Sequence, residues 1–324
     1  MQFRNHSLVG SAAEIPISES NPVISFSPVV LPSSDRHVDL QLRVSFPPTG
    51  NALPIVLLSH GHGRSNYLSS LEGYGPLADF LAGHGFAVIQ PTHLSSKSLG
   101  IQLDAENHRD LFLDSRARDM TRVLDELDAI ESAVPLLSGR LDRDRVAVLG
   151  HSLGGLTASA LLGATNTDPR DGTVSRLVEN RIKTGVVFGG IGNAGADLSE
   201  SGRSLIPFAG PDFSQMDKPA LIVWGDIDVS PHLSSRGADW HADPYSLSPG
   251  PKASFMVKGG HHGFGGISGW DAGETQDESP ERLQAVLRIT WAYLRSQFYE
   301  EDLSWEAACK ALQELPELGH IETK

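Results

Sequence analysis

The chain has very little cysteine, no long apolar run and no excess of positive charge. Cys309 is the single cysteine among 324 residues, so no intramolecular disulfide can form and nothing indicates an oxidising compartment. No apolar segment approaches the roughly 18 residues that a membrane span needs. The N-terminal segment, interrupted by Pro16, Pro22 and Pro28, lacks the basic start and continuous apolar stretch of a secretory signal. We therefore expect a soluble, cytoplasmic protein.

The charge balance argues against one class of partner. Asp and Glu number 40 against 26 Lys and Arg, which gives a formal net charge of -14. Such a surface repels nucleic acid and anionic membranes, so we expect neither a nucleic-acid partner nor a membrane span. A hydrophobic content of 40% can fill the core of one large domain. We expect a polar N-terminal arm at residues 1–21 and a single α/β domain at residues 22–324.

Motifs for metal and nucleotide binding are missing. Several histidines could be gathered as ligands, namely His60, His62, His93, His108, His261 and His262. They do not form the H-E-x-x-H pattern of a zinc helix, and neither a cysteine pair nor a calcium loop accompanies them. The Gly154-Gly155 and Gly189-Gly190 pairs belong to neither of the glycine-rich phosphate-binding patterns. The sequence therefore predicts no metal and no cofactor.

Strand and helix patterns alternate along the chain. Eight apolar runs predict strands at 24–31, 38–46, 55–59, 86–90, 146–149, 185–188, 220–224 and 254–257. Helical spacing predicts helices at 77–81, 111–134, 153–162, 281–298 and 305–312. This alternation indicates a mostly parallel sheet, in which chemistry belongs at the carboxyl ends of the strands. The long irregular stretches 190–218 and 230–252 follow strands, so we expect them to shape a pocket at that edge.

One serine stands where a strand pattern turns into a helix pattern. Ser152 follows the apolar run Val146–Leu149 and lies between Gly150 and Gly154. The G-x-S-x-G pattern in this context predicts a nucleophile elbow, a sharp turn that exposes the serine oxygen. The glycines allow the turn because a larger residue would collide where strand and helix cross. The N–H of the residue after the nucleophile, here Leu153, then becomes a candidate oxyanion donor.

A serine hydroxyl is a weak nucleophile, so it needs a histidine base and a carboxylate that orients the histidine. Two carboxylates, Asp226 and Asp228, close the turn after the strand at 220–224. Two histidines, His261 and His262, lie in the glycine-rich loop after the next strand. Both pairs follow the serine in the order expected for an elbow enzyme, and either member of each pair could serve.

Together with the H-G-x-G pattern of His60–Gly63, these motifs resemble the α/β-hydrolase superfamily from Leu53 to Phe298. The resemblance looks closest to serine esterases near the predicted dienelactone hydrolases, platelet-activating-factor acetylhydrolases and chlorophyllases. It implies an α/β-hydrolase fold with a twisted, mostly parallel sheet of about eight strands and helices on both faces. Dienelactone hydrolases use cysteine in place of Ser152, and chlorophyllases usually have arginine in place of Leu153, so the elbow alone names no substrate.

The resemblance also implies roles for particular residues. Asp228 becomes the acid because it closes a Gly-x-x-Asp turn, while Asp226 becomes a turn residue. His262 becomes the base because Gly259–Phe264 is similar to a Gly-Ala-x-His-Gly-Phe arrangement, while His261 lies at the entrance. His62 becomes the second oxyanion donor through its backbone. We expect five further residues to line or support the substrate pocket: His60, His151, Trp224, Trp240 and His261.

These expectations describe a serine hydrolase that cleaves a small carboxylic ester or lactone through an acyl-enzyme. The same residues would support an amidase, a thioesterase or an acyltransferase. A non-catalytic ligand-binding protein of the same fold is the alternative outside enzymes, although such proteins commonly lose one of the three catalytic residues. An aspartate nucleophile, as in epoxide hydrolases and dehalogenases, is excluded by Ser152.

Overall fold

A computed structural model describes residues 7–101, 108–270 and 272–324. Its main sheet has nine strands, β1 to β9 in chain order. They span Ile24–Leu31, Leu40–Phe46, Leu53–Ser59, Ala87–Pro91, Leu141–His151, Ile182–Phe188, Ala220–Gly225, Lys252–Val257 and Gly319–Thr323. A small second sheet joins Thr165–Thr167, Val174–Arg176 and Pro211–Asp212.

The strand order in the main sheet is β1-β2-β4-β3-β5-β6-β7-β8-β9. The six central strands, from β4 across to β8, pair in parallel. Antiparallel pairing occurs only towards the two edges of this sheet, between β1 and β2, β2 and β4, and β8 and β9. The predicted mostly parallel sheet is confirmed, with nine strands rather than about eight.

Helices cover both faces of the sheet. The described ranges contain eight α-helices, α1 to α8, which span Gly75–Gly83, Ser115–Asp125, Leu127–Ala133, Leu153–Leu161, Glu200–Leu205, Asp243–Ser246, Pro280–Phe298 and Ser304–Gln313. Helices α1, α7 and α8 pack their apolar side chains against one face of the sheet. Helices α2, α3 and α4 pack against the other face. None of the helices in the described residues is long and apolar enough to cross a membrane.

The single helix predicted at 111–134 is divided into three pieces. A π-helical turn at Asp110–Asp114 leads into α2, and α2 ends at Asp125. Glu126 then leaves helical geometry, with φ -106° and ψ 22°, before α3 begins. The apolar spacing persists across this break, because Met120 and Ile130 are both buried against the sheet. The apolar spacing of the sequence therefore predicts which face of the helices is buried, but not the break at Glu126.

The N-terminal segment lies on helix α7. Residues 1–6 of the predicted arm are outside the described part of the chain. From Ser7 the chain forms 3₁₀ turns, and the side chains of Val9, Ala12 and Ile15 are buried in the same cluster as α7. Nη1 of Arg288, on α7, donates to the carbonyl of Ile15 at 2.7 Å. These contacts hold residues 7–15 against the rest of the fold.

Candidate active site

The turn at Ser152 has the conformation that a nucleophile elbow requires. Ser152 joins β5 to α4 with φ 56° and ψ -120°, a region that residues other than glycine rarely adopt. A Cβ atom at Gly150 would lie 1.9 Å from the carbonyl oxygen of Gly154, and one at Gly154 would lie 2.1 Å from that of Ser59. Both distances are impossible, so the two glycines let strand, helix and the β3 carboxyl end meet at this point.

The structure pairs His262 with Asp228. Nδ1 of His262 lies 2.9 Å from Oδ2 of Asp228, within hydrogen-bond distance. Asp228 is buried, whereas one-third of the His262 side chain is exposed to the cleft. The carboxylate accepts a hydrogen bond from Nδ1–H and leaves Nε2 as the nitrogen that can exchange protons. Ser152 lines the same cleft, without a hydrogen bond to this imidazole in the described structure.

Burial and charge oppose each other in this pair. Burial alone would lower the pKa of His262, but the charge and hydrogen bond of Asp228 outweigh it and raise the pKa above its ordinary value. Burial alone would raise the pKa of Asp228, but His262 lowers it below its ordinary value. The carboxylate therefore stays ionised beside the imidazole at neutral pH.

The alternative residues of each predicted pair have other contacts. Oδ1 of Asp226 accepts the N–H of Gly259 at 2.6 Å, and its Oδ2 lies 2.9 Å from Nζ of Lys258. Asp226 thus closes the turn between the two strand ends, as a turn carboxylate does. The backbone N–H of His261 donates to Asp277, and the residue lines the cleft beside His262.

The loop after β3 carries the candidate oxyanion donor. His62 lines the cleft, and no described residue accepts its backbone N–H. Leu153 is the first residue of α4, where an N–H lies outside the helix's own hydrogen bonding. His60 is buried, and its Nε2 accepts the N–H of His93 at 3.1 Å. His60 therefore supports the loop from behind and does not line the cleft.

One tyrosine hydroxyl connects three segments around the site. Oη of Tyr74 accepts the N–H of Gly61 at 2.9 Å and lies 2.8 Å from Nδ1 of His151. Nε2 of His151 lies 2.8 Å from the carbonyl oxygen of His262. A carbonyl oxygen can only accept, so the proton of His151 is on Nε2 and is donated to that carbonyl. Nδ1 of His151 therefore accepts the hydrogen bond of the Tyr74 hydroxyl. Burial lowers the pKa of His151 to about 3, so its ring stays neutral.

His241 is a residue of the site to which the sequence analysis assigned no role. Its Nε2 lies 3.6 Å from Oδ1 of Asp228, the carboxylate oxygen that His262 does not use. Its Nδ1 donates to the carbonyl of Gly190 at 2.7 Å, and burial lowers the pKa of the ring. A neutral His241 thus covers the buried side of Asp228. The one signal for it was its position beside Trp240, in the segment after the acid turn.

The cleft at this edge has a volume of about 820 Å³. Beside Ser152 and His262, its lining is largely apolar and includes Leu68, Phe112, Leu153, Ile191, Ile206 and Leu233. Several of these side chains belong to the stretch 190–218 or to the stretch 230–252, which therefore form part of its wall. A cleft of this size and character accommodates a small organic molecule.

The two tryptophans expected at the pocket lie elsewhere. Trp224 donates to Oγ of Ser254 at 3.0 Å and lines a separate surface cleft with Tyr245. Trp240 is completely buried, and its Nε1 donates to the carbonyl of Asn193 at 2.7 Å. It packs behind the cleft rather than in its wall, because the short helical turn that carries it faces the core. Trp224 and Trp240 are close to Asp228 in sequence, but neither ring lines the cleft.

Among the described residues, one group has ligand atoms close enough together to hold a metal ion. It consists of Asp228, His241 and His262, whose ligand atoms all lie within 4.8 Å of one another. Two of these three are already joined by the Nδ1 hydrogen bond, and His241 uses its Nδ1 on a backbone carbonyl. The hydrogen bonding thus fits an acid-base pair with a covering histidine better than a metal centre.

Comparison with known proteins identifies the family and the fold. The sequence model of the alpha/beta hydrolase family matches residues 55–321. A solved esterase from Pyrobaculum calidifontis, in its monoclinic form, aligns with a TM-score of 0.55 and 20% identity over 92% of this chain and 91% of that one. A solved arylesterase aligns with a TM-score of 0.53 and 18% identity over 92% of each chain. A search of curated proteins found no match.

Proposed function

Because the chain belongs to the alpha/beta hydrolase family, we propose that it is a serine esterase that cleaves a carboxylic ester or lactone through an acyl-enzyme. The observation that carries the proposal is the strained turn at Ser152, which opens into the same cleft as the His262–Asp228 pair. The esterase neighbours, at 18–20% identity, are consistent with the fold of such an enzyme. The narrower resemblance to the dienelactone hydrolase and chlorophyllase group stays a prediction.

In the first half-reaction, Oγ of Ser152 attacks the carbonyl carbon while its proton passes to Nε2 of His262. Asp228 holds the Nδ1 proton and stabilises the imidazolium that forms. The carbonyl oxygen becomes an oxyanion, which the N–H groups of His62 and Leu153 bind. The bond to the alcohol oxygen then breaks, and that oxygen takes the proton from Nε2.

In the second half-reaction, water attacks the acyl carbon and gives its proton to Nε2 of His262. The tetrahedral intermediate collapses, the bond to Oγ breaks, and Ser152 recovers the proton. The products are a carboxylic acid and the alcohol released earlier, or one hydroxy acid when the substrate is a lactone. Each proton transfer uses the same nitrogen, so the cycle needs no other acid or base and no cofactor.

The apolar residues that line much of the cleft favour an uncharged acyl compound, although Arg64, Lys97 and Glu274 also line it. An ester, an amide and a thioester are all uncharged and would use the same catalytic groups. A panel of matched acyl compounds that differ only in the leaving atom would rank these activities. We expect p-nitrophenyl esters to be cleaved faster than the corresponding anilides. An acyltransferase would instead pass the acyl group to an added alcohol in preference to water.

A fluorophosphonate probe tests the central step. The folded protein is expected to form one covalent adduct, with the label on the peptide that contains Ser152 in mass spectrometry, because only an activated serine attacks phosphorus at a useful rate. Excess ester substrate should slow the labelling, and the unfolded protein should not react. Labelling of a different serine would contradict the proposal, and no labelling would favour a non-catalytic binding protein.

The pH profile follows from the raised pKa of His262. Only the neutral imidazole can accept the serine proton, so activity is lost as the pH falls through that pKa. Because Asp228 raises the pKa, kcat/KM should reach half its plateau above pH 6.5, the ordinary value for histidine. The measurement is kcat/KM for a p-nitrophenyl ester between pH 5 and 9, with protein stability checked at each pH. A half-plateau point clearly below pH 6.5 would show that Asp228 does not act on the base in this way.

A further inference from the structure

A buried arginine links the elbow helix to the loop that carries His62. Arg116, on α2, is fully buried, and its Nε donates to Oγ1 of Thr157 on α4 at 3.1 Å. Its Nη1 donates to Oγ of Ser95 at 2.8 Å. Its Nη2 donates to Oγ of Ser59 at 3.2 Å and to the carbonyl oxygen of His60. One guanidinium thus bonds to a side chain of α4 and to the backbone at the end of β3, the two segments from which the candidate oxyanion donors come.

The acceptors around Arg116 are all neutral. Within the described ranges, no carboxylate lies at ion-pair distance from it, and the acid on the same helix, Asp119, is held by Arg36 at 3.0 Å and by His93 at 2.9 Å. Burial lowers the pKa of Arg116 to about 9, so the group remains protonated at neutral pH. The charge of Asp119 acts on Arg116 without an ion pair between them, so the buried cation is compensated only in part. Such burial is costly, which fits a site that gains from the charge.

The positive charge of Arg116 acts on the loop that carries His60 and His62. Burial first, and the positive charge of Arg116 second, lower the pKa of His62 to about 4. The same two causes lower the pKa of His60. Both rings are therefore neutral at working pH, and a positive field acts on the backbone of the segment that faces the cleft. Such a field favours a negative oxygen bound there.

We infer that Arg116 is a positioning residue for the oxyanion site. Its bonds to the His60 carbonyl and to Thr157 hold the N–H groups of His62 and Leu153 towards one point in the cleft. Its charge, which Asp119 compensates only in part, makes that point more favourable for the tetrahedral oxyanion than for the neutral substrate. This inference rests on the proposed esterase function, because it concerns the same reaction.

A second buried arginine provides a matched control. Arg288, on α7, is also buried, but its Nη1 donates to the carbonyls of Ala13 and Ile15, which belong to the N-terminal segment. It lies on the opposite face of the sheet from α2. Substitution of Arg288 likewise removes a buried guanidinium that bonds to backbone carbonyls, and Arg288 is not among the charges that shift the pKa of His60 or His62.

The experiment compares Arg116→Gln and Arg116→Lys with Arg288→Gln. For Arg116→Gln we expect kcat to fall about 10- to 100-fold with KM changed less than about twofold, since deleting an oxyanion donor itself costs roughly 10²–10³. The Ki of a trifluoromethyl ketone, which binds as an anionic adduct of the serine, should rise by the same factor as kcat falls. Arg116→Lys, which keeps the charge, should recover part of both. Arg288→Gln should lower the unfolding temperature but leave kcat and Ki unchanged.

The following outcomes would decide against the inference. Wild-type kcat and Ki in folded Arg116→Gln would overturn it, and so would an equal loss of kcat in Arg288→Gln, which would indicate a general effect of lost stability. If Arg116→Gln does not fold, Thr157→Val replaces it as the test, because this variant keeps the charge of Arg116 and removes one hydrogen bond to the guanidinium. The inference then requires a parallel change of a few-fold in kcat and Ki, and the absence of that change would overturn it. A wild-type protein without Ser152-dependent hydrolysis would overturn the proposed function as well, so the two failures are distinguishable.

Discussion

Replacement of Ser152 by alanine is expected to lower kcat for p-nitrophenyl acetate by roughly 10⁴- to 10⁶-fold, because the acyl-enzyme can no longer form. The residual rate would come from the oxyanion donors and from binding alone. Alanine also has a Cβ atom, so it tolerates the φ of 56° about as well as serine does, and the fold should persist. The measurements are steady-state kinetics, circular dichroism and the unfolding temperature.

The matched control for this variant is Ser204→Ala. Ser204 lines the same cleft, and its hydroxyl donates to the carbonyl of Glu200 rather than taking part in the proposed chemistry. Its removal should change kcat less than about twofold, as expected for an exposed hydroxyl away from special features. Retention of the wild-type rate in Ser152→Ala would remove the proposed nucleophile and, with it, the mechanism.

Replacement of Asp228 by asparagine is expected to lower kcat by about 10⁴-fold, the size of effect known for the acid of a Ser-His-Asp triad. The amide of asparagine can donate to Nδ1 of His262, which moves the imidazole proton to Nε2. That nitrogen then has no lone pair for the serine proton. The imidazolium also loses its counter-charge, so the variant should bind substrate normally but react slowly.

Asp226→Asn tests the neighbouring carboxylate under the same conditions. Its amide oxygen can still accept the N–H of Gly259, and the lost ion pair with Lys258 is partly exposed to solvent. Exposed ion pairs contribute only about 0–1 kcal/mol, so activity should stay within a few-fold of wild type. A larger loss in Asp226→Asn than in Asp228→Asn would reverse the assignment of the acid.

The main sheet could be read from the sequence because its central strands are short apolar runs that end in turn residues. All eight predicted strands exist, and their bounds differ from the structure by a few residues. The ninth strand, Gly319–Thr323, pairs antiparallel at the edge and contains one large apolar residue, Ile321, so it has no strand pattern to detect. The small second sheet was missed for the same reason, since its strands are only two or three residues long.

The candidate site was predictable where each residue follows a strand. Ser152, Asp228 and His262 come after the carboxyl ends of β5, β7 and β8, and parallel pairing brings those ends together. Arg116 and His241 depend instead on how distant elements pack. Arg116 lies on a helix rich in charged residues, where arginine is usually exposed, so nothing in the sequence singled it out as a buried residue. Trp240 shows the reverse error, because an aromatic side chain near a site can equally belong to the core behind it.

The hydroxyl of Tyr74 has a consequence for how this edge of the protein opens. It accepts from Gly61 and donates to His151, whose ring in turn donates to the carbonyl of His262. None of these segments can detach alone without leaving a buried donor or acceptor unsatisfied. We therefore expect local unfolding here to be cooperative: the four segments that carry Gly61, Tyr74, His151 and His262 form one unit that opens together.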